Sequence, residues 1–207
     1  MSWLVATLYD VMMQPSERAC VRGWRADLLA QLEGEVLEIG AGTGYNLPHY
    51  PAAVARLTLA EPDAAMRTRL AARCAGLDRG GRVSILDASA ESLPFPDASL
   101  DAVVGTLVLC SIAEPAAALA EVRRVLKPRG RYVFLEHGAA AEGSTRLRWQ
   151  RRLEPIWRIA ADDCHLTRRA DEILVAAGFD IERQVRESMR KALPFLRPTI
   201  RGIARRS

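Results

Sequence analysis

The feature that most constrains the fold is a glycine-rich segment that directly follows a short apolar run. Residues 36–44 read Val-Leu-Glu-Ile-Gly-Ala-Gly-Thr-Gly, with Gly40, Gly42 and Gly44 at alternate positions between a predicted strand and a predicted helix. Such glycines let the backbone turn tightly and approach a ligand where side chains would clash. A glycine triad alone is common, however, and can serve only close packing of a strand on a helix. The segment therefore predicts a strand, a tight turn and a helix, and leaves the ligand open.

Short β-branched runs alternate with alanine-rich helical stretches along the chain, which is typical of βαβ units and a parallel sheet. The predicted strands are Glu35 to Ile39, Arg56 to Ala60, Val83 to Asp87, Leu100 to Thr106, Arg131 to Glu136, Phe179 to Val185 and Pro198 to Ala204. The predicted helices are Tyr9 to Gln31 (one or two helices over the mouth of a site), Glu114 to Leu126, Thr145 to Ala160 and Arg168 to Ala177.

Length and composition favour a globular α/β protein. The chain has 207 residues, which suits one domain, and 49% hydrophobic residues, which is far from the composition of a disordered protein. The apolar N-terminal residues meet Asp10 before they reach the length of a signal or spanning segment. We therefore expect neither export nor membrane insertion.

The four cysteines, Cys20, Cys74, Cys110 and Cys164, lie far apart in the sequence. No Cys-x-x-Cys pair or histidine cluster accompanies them, so their spacing does not predict a metal site. Cys110 lies in an apolar run, where a cysteine usually behaves as a small core residue. We predict free thiols, a reducing cytoplasmic location and no metal.

The charge of the chain, +4 overall, is concentrated in its C-terminal third. Residues 1–143 hold 14 basic and 17 acidic residues, whereas residues 144–207 hold 15 and 8. These arginines suit peripheral contact with anionic lipid headgroups, or simply form a solvated helix face and a basic tail. Because no recognition motif or aromatic platform accompanies them, nucleic-acid binding is not expected. Nothing in the sequence indicates an oligomeric state.

Two acidic residues at strand ends distinguish between ligands for the glycine segment. Glu38 precedes Gly40 by two residues, where its charge would repel the pyrophosphate of a dinucleotide but attract the amino group and sulfonium of S-adenosylmethionine. Glu61 closes the second strand, where a carboxylate can accept both ribose hydroxyls of an adenosine. Alone, Glu61 would read as an exposed carboxylate. Together with the glycines, the two residues favour S-adenosylmethionine.

Four ordered motifs resemble class I S-adenosylmethionine-dependent methyltransferases of the ubiquinone-biosynthesis type. They are residues 37–44, Glu61-Pro62-Asp63, residues 90–95 (Ala-Glu-Ser-Leu-Pro-Phe) and residues 121–130 (Glu-Val-Arg-Arg-Val-Leu-Lys-Pro-Arg-Gly). The resemblance implies an α/β, Rossmann-like doubly wound fold: a mostly parallel seven-stranded sheet with an antiparallel C-terminal strand and an N-terminal helical cap. In this reading, residues 1–207 are one domain, with a cap (1–33), a cofactor-binding core (34–140) and acceptor-side helices and final strands (141–207).

The same resemblance implies a set of cofactor-binding residues. Ser89 departs from the family, which often has an aspartate there for the adenine amino group, but a serine hydroxyl can still accept one hydrogen bond. The full predicted set is Glu38, Gly40, Ala41, Gly42, Thr43, Gly44, Asn46, Glu61, Pro62, Met66, Ser89, Ala90, Glu91, Thr106 and Leu107.

The second half of the chain resembles thiol S-methyltransferases. The matching segments are residues 106–111 (Thr-Leu-Val-Leu-Cys-Ser), 134–137 (Phe-Leu-Glu-His), Trp149-Gln150, Glu154-Pro155-x-Trp157 and Cys164-x-Leu166-Thr167-Arg168. The resemblance implies a small, apolar thiol as the methyl acceptor. A phospholipid amine and a quinone-like carbon are the alternative acceptors, and a cofactor-binding module without catalysis is the alternative outside enzymes.

Methyl transfer from a sulfonium is an in-line displacement, which a nearby base or positive charge assists by favouring the thiolate. His137 and His165 are the candidate bases and Arg168 is the candidate anion-stabilising residue. The competing interpretations are that His137 packs at the sheet edge and that Arg168 pairs with Asp162 or Asp163. We predict no covalent enzyme intermediate.

Three aromatic residues, Tyr9, Trp149 and Trp157, are candidates for the wall of an apolar acceptor pocket. The spacing from Trp149 to Trp157 equally describes an ordinary packing stripe on a helix.

Overall fold

The computed structural model describes residues 3–77 and 81–206, with side chains from Tyr9 onward. Within these residues seven strands form one sheet: β1 (Gly34–Ile39), β2 (Val54–Ala60), β3 (Val83–Leu86), β4 (Leu100–Thr106), β5 (Leu126–His137), β6 (Phe179–Ser188) and β7 (Pro198–Arg206). The α-helices of the same residues are α1 (Trp3–Ser16), α2 (Arg22–Leu29), α3 (Ala64–Ala75), α4 (Pro115–Val125), α5 (Thr145–Ala160) and α6 (Ala170–Ala176).

The strand order is β3-β2-β1-β4-β5-β7-β6, and β7 alone runs antiparallel to its neighbours. This confirms the predicted doubly wound sheet with an antiparallel C-terminal strand. The strand order reverses between β1 and β4, and the carboxyl ends of strands at such a point open a crevice in which α/β proteins bind ligands. The glycine segment leaves β1 at this crevice.

Apolar side chains cover both faces of the sheet, as a sheet with helices on each side requires. One core layer packs α4 and α6 on the sheet through residues such as Leu119, Val122 and Leu174. The opposite layer packs α2 and α3 through residues such as Leu29 and Leu70. Because β1, β4 and β5 lie between the two layers, their carboxyl ends have fixed positions.

The predicted Tyr9 to Gln31 helices form the cap, in three consecutive helical segments. A short π-helical segment, Glu17–Val21, separates α1 from α2 and begins two residues after Pro15, which has no N–H for the helical ladder. The chain therefore passes from the cap to the sheet with Glu17, Cys20 and Val21 buried.

The observed strands extend beyond several predicted ends. The largest difference is in β5, which begins at Leu126, because the Lys127-Pro128-Arg129-Gly130 segment continues the strand through an irregular register with β4. Among the described residues, none of the helices is both long enough and apolar enough to span a bilayer.

Candidate active site

A cavity of about 700 Å³ lies at the carboxyl ends of β1, β2, β4 and β5, beneath α1. Thirteen of the fifteen predicted cofactor residues line it: Glu38, Gly40, Ala41, Gly42, Thr43, Glu61, Pro62, Met66, Ser89, Ala90, Glu91, Thr106 and Leu107. The fold thus brings four separate sequence motifs to one surface. Gly44 and Asn46 are outside the lining.

The three glycines of the loop have positive φ angles of 59°, 56° and 86°, a region that glycine adopts readily. A Cβ on Gly40 would lie 2.2 Å from Val108 Cγ2, and one on Gly44 would lie 2.7 Å from Leu70 Cδ1. At Gly42 the nearest atom to a Cβ is 4.0 Å away. The outer glycines therefore allow close packing, whereas Gly42 leaves open space on the cavity side.

Glu61 braces the glycine loop from the end of β2. Its two carboxylate oxygens accept hydrogen bonds from the backbone N–H groups of Gly42 (2.8 Å) and Asp63 (2.9 Å). Burial raises the pKa of Glu61, and these two bonds oppose that rise. A carboxylate has about four acceptor sites, so the oxygens can still accept ribose hydroxyls. The structure thus gives Glu61 a loop-holding contact in addition to the predicted contact.

Glu38 is held in place by the side chains of two residues. Its oxygens accept hydrogen bonds from Asn46 Nδ2 (2.9 Å) and the Tyr50 hydroxyl (2.7 Å). Burial raises the pKa of Glu38 to about 7, although both hydrogen bonds and the charge of Arg25 favour the ionised form. Asn46 is fully buried and holds Glu38 in place, which explains why it does not line the cavity.

Arg25 of α2 lines the cavity, and the sequence reasoning missed it. Its guanidinium is buried and donates to Glu17 Oε1 (3.0 Å), Asn46 Oδ1 (2.7 Å) and Thr106 Oγ1 (2.8 Å). These bonds connect the cap to the ends of β1 and β4. No local signal separates this arginine from the many exposed ones, because its partners lie as far as 81 positions away.

The cap is fastened to the glycine loop through Asp10. One carboxylate oxygen accepts from Thr43 Oγ1 (2.6 Å), and the other pairs with Arg69 (2.9 Å). The hydroxyl of Tyr45 donates to the Asp10 carbonyl (3.1 Å). Cap side chains, including Tyr9 and Met13, therefore form part of the cavity wall.

The segment after β4 turns sharply into the other half of the cavity. Leu107 has a φ of 55°, a conformation that costs a non-glycine residue about 1–2 kcal/mol. Its N–H donates to the Leu135 carbonyl (2.7 Å), and Glu136 Oε1 accepts from the N–H groups of Val108 (3.1 Å) and Leu109 (3.0 Å). This clamped turn places Cys110 at the cavity.

Cys110, His137 and Cys164 meet at the cavity wall and are all buried. The two sulfur atoms and a ring nitrogen all lie within 4.8 Å of one another, and His137 Nε2 is 3.1 Å from Cys164 Sγ. We call these three residues the Cys-His-Cys cluster. Cys110 and Cys164 each lie 27 positions from His137 in the sequence, so no local motif predicts the cluster.

The protonation of the cluster is strongly perturbed. Hydrogen bonds from Cys110 and His137 lower the pKa of the Cys164 thiol, while the bond to Cys164 and burial raise that of Cys110. Burial opposes the charged form of His137, yet its bond to Cys164 and the nearby negative groups raise its pKa. The arrangement favours a thiolate on Cys164 beside an imidazolium on His137.

His165 and Arg168 are not among the described residues that line this cavity. His165 Nδ1 lies 3.1 Å from Glu154 Oε1. The guanidinium of Arg168 donates to the carbonyls of Leu109 and Ile112, the latter at 2.6 Å, which is neither the predicted anion-stabilising contact nor the competing ion pair with Asp162 or Asp163. Arg168 therefore clamps the segment around Cys110, because neighbouring carbonyls, which sequence cannot place, are its nearest acceptors.

The aromatic wall is only partly as predicted. Tyr9 and Trp157 line the cavity, and Trp157 packs edge-on against Phe195 with ring centroids 5.2 Å apart. Trp149 is 54% exposed and lies under the guanidinium of Arg152, so its predicted place in the wall is wrong. Trp149 and Trp157 are eight positions apart on α5, which turns them about 80° from one another.

The chain is similar in sequence to known methyltransferases. Residues 37–134 match the methyltransferase domain family. Thiol S-methyltransferase TMT1B of Rattus norvegicus is 39% identical over 148 residues, which are 71% of this chain and 60% of that protein. The same enzyme of Homo sapiens is 34% identical over 185 residues, 84% of this chain and 75% of that protein. This chain thus spans between three fifths and three quarters of the length of these relatives.

Among solved structures, geranyl diphosphate methyltransferase in complex with S-adenosylmethionine superimposes with a TM-score of 0.72. The match covers 93% of this chain and 85% of that one at 15% sequence identity, so it shows the fold.

Proposed function

This chain belongs to the S-adenosylmethionine-dependent methyltransferase family, and we propose that it transfers the cofactor's methyl group to a small, apolar thiol. The observation that carries the proposal is the Cys-His-Cys cluster, which lines the same cavity as the glycine loop. A thiol attacks as its thiolate, and the imidazolium of His137 in this cluster can stabilise one. The two mammalian relatives named above are thiol S-methyltransferases, which supports the same acceptor class.

The cofactor is S-adenosylmethionine, which supplies an electrophilic methyl group on a sulfonium. We propose that Glu61 binds the ribose and that Ser89 and Ala90 bind the adenine. The backbone of Gly42 is the part of the loop that approaches the cofactor most closely in this assignment. The open space at Gly42 and the remaining acceptor capacity of Glu61 fit such a ligand. Glu38 also keeps acceptor sites beside its two hydrogen bonds and lines the cavity, so we assign it to the amino group of the cofactor's amino-acid part.

The acceptor side of the cavity determines what can approach the methyl group. Apolar side chains such as Ile112, Trp157 and Leu196 line it, which favours an apolar acceptor and excludes water. Displacement needs the acceptor sulfur about 3–3.5 Å from the methyl carbon and in line with the breaking bond. His137 is the residue of the cavity that we assign to thiolate stabilisation, with Arg168 acting only through the position of Cys110.

The test is incubation with methyl-labelled S-adenosylmethionine and a panel of thiols, amines, quinones and phosphatidylethanolamine. We expect label on apolar thiols, with stoichiometric release of S-adenosylhomocysteine. Label on an amine or quinone and on no thiol would contradict the thiol acceptor and identify that other class as the acceptor. Tight cofactor binding without label on any acceptor would indicate a module without catalysis.

We further propose peripheral contact of α5 with an anionic membrane surface, on the cytoplasmic side. One face of α5 exposes Trp149, Ile156 and Ile159 beside Arg152, a combination that suits the interface of a bilayer. None of the four cysteines forms a disulfide bond within the described residues, which supports a reducing compartment. Sedimentation with phosphatidylserine vesicles should decrease in Ile159→Glu, and equal sedimentation of both proteins would remove this proposal.

A further inference from the structure

We propose that the Cys-His-Cys cluster is a binding site for a thiophilic divalent cation, with Zn²⁺ as the cation tested first. Cation binding stands on the geometry of the cluster alone. A second part rests on the proposed function: the fourth coordination position takes the sulfur of the acceptor.

The ligand set and its dimensions suit zinc. Zinc binds cysteine sulfur at about 2.3 Å and histidine nitrogen at about 2.0–2.1 Å, so a tetrahedral site separates its ligand atoms by about 3.5–3.8 Å. The three ligand atoms here all lie within 4.8 Å of one another, and one pair is at 3.1 Å. Side-chain adjustments of less than about 1–1.5 Å would therefore complete the coordination.

The cluster gives up little when it binds a cation. Outside the cluster, the described contacts of Cys110 Sγ are long, 3.7 Å to the Leu107 carbonyl and 3.6 Å to the Ser111 hydroxyl. His137 Nδ1 is buried and has no hydrogen-bond partner among the described residues, and Nε2 contacts Cys164 Sγ, so a cation would displace no described bond of the ring outside the cluster. Buried thiols are weak hydrogen-bond donors, whereas thiolate and imidazole are strong zinc ligands.

Three separate elements hold the ligands in advance. His137 ends β5, and Cys110 follows β4 in the segment that Glu136 and Arg168 clamp. Cys164 follows α5. The next residue, His165, connects this segment to the one that carries Cys110, because its N–H donates to the Cys110 carbonyl at 2.8 Å. A site whose ligands are positioned before the cation arrives loses less conformational freedom on binding.

Three protein ligands leave one position of a tetrahedral ion open, as in catalytic zinc sites. A thiol that coordinates zinc loses its proton, which passes to water. The zinc-bound sulfur then attacks the methyl carbon: a sulfur–carbon bond forms, the sulfonium–methyl bond breaks, and its electron pair stays on S-adenosylhomocysteine. The neutral thioether is a weak ligand and leaves the ion.

Metal binding is tested first, on the full chain under a phosphine reductant. Dialysis against Zn²⁺ should leave about one zinc per chain, and Co²⁺ should give the thiolate charge-transfer and tetrahedral d–d bands of a sulfur site. Cys110→Ser, Cys164→Ser and His137→Gln should lose both signals, while Cys74→Ser, outside the cluster, keeps them. Circular dichroism and S-adenosylmethionine binding identify variants that still fold. Wild-type protein with no stoichiometric zinc and no cobalt bands would overturn the site, as would folded cluster variants with unchanged signals.

Catalysis is tested separately, with the thiol that the labelled panel identifies. Removal of zinc by a chelator should lower methylation at least about tenfold, and added Zn²⁺ should restore it, while cofactor affinity stays within twofold. Full activity of the zinc-free protein would overturn the catalytic part and leave the proposed function intact. Stoichiometric zinc without methylation of any thiol would overturn the proposed function and leave the cation site.

Discussion

The core of the cofactor half of the cavity, at the ends of β1 and β2, is built from backbone groups and from short local motifs. The acceptor half, at the ends of β4 and β5, is built from side chains that meet only in the fold. In the first half, Glu61 reaches a loop 19 positions away through backbone N–H groups. In the second, Cys110 and Cys164 are 54 positions apart and meet around His137. Short sequence motifs thus form the part of the cavity that binds the cofactor. Side chains that are distant in sequence form the part that faces the acceptor.

The largest effect should come from Glu61→Ala in the cofactor half. The substitution removes the acceptor of the Gly42 N–H and the proposed ribose contact, so we expect S-adenosylmethionine affinity to fall by about 100-fold or more. Isothermal titration calorimetry measures it, with Asp97→Ala, an exposed carboxylate that precedes β4, as the control. Equal affinities of Glu61→Ala and wild type would contradict our placement of the cofactor.

Two glycine substitutions separate packing from binding within the same loop. Gly44→Ala meets Leu70 and Leu47 at a positive φ, so the free energy of unfolding should fall by about 2 kcal/mol. Gly42→Ala meets only open space and should cost about 1 kcal/mol, yet lower cofactor affinity about tenfold. Urea unfolding and calorimetry give both quantities. If Gly42→Ala destabilised the chain more than Gly44→Ala, the assigned roles would be reversed.

In the acceptor half, Trp157→Ala should raise the KM for an apolar thiol by about tenfold and leave cofactor affinity near wild type. The substitution opens the cavity wall and removes the contact with Phe195. Trp149→Ala is the matched control, because that ring is exposed and should change KM by less than about twofold. Similar KM values for the two variants would show that this wall does not meet the acceptor.

The smallest effect concerns the pH dependence of stability through Glu136, whose pKa burial raises to about 7. A carboxyl with a raised folded-state pKa stabilises the fold at low pH, and this contribution is lost as pH rises from about 4.5 through 7. Glu136→Gln should therefore reduce the fall in Tm between pH 5 and pH 8 by about 3 °C. Glu142→Gln, an exposed carboxylate, should keep the wild-type slope. Parallel Tm curves for Glu136→Gln and wild type would contradict this assignment.

Sequence reasoning predicted the first half well because its signals are local. Hydrophobic periodicity located the seven strands of the sheet, and the glycine segment with Glu61 located the cofactor loop. It did not predict that Asn46 holds Glu38, since a hydrogen-bond partner depends on side-chain direction as well as spacing. The prediction of no metal was drawn from spacing along the chain, and the zinc experiment decides it.

For three residues, the sequence did not predict the burial or the partners that the structure shows. Trp149 was expected in the acceptor wall and is exposed, whereas Arg25 drew no attention and is buried at the centre of the site. Both residues lie in helices, and only the orientation of each helix against the sheet decides which of its side chains are buried. Arg168 was a candidate anion-stabilising residue, with an ion pair to an aspartate as the competing interpretation, and it instead clamps backbone carbonyls.

By itself, the sequence determined the order of strands and helices, the glycine turn and the family with its cofactor, because periodicity and short-range motifs are written in consecutive residues. Only the tertiary structure decided which side chains face the acceptor. Parallel strands bring their carboxyl ends together whatever their separation in the chain, and this is how Cys110, His137 and Cys164 come to share one buried wall.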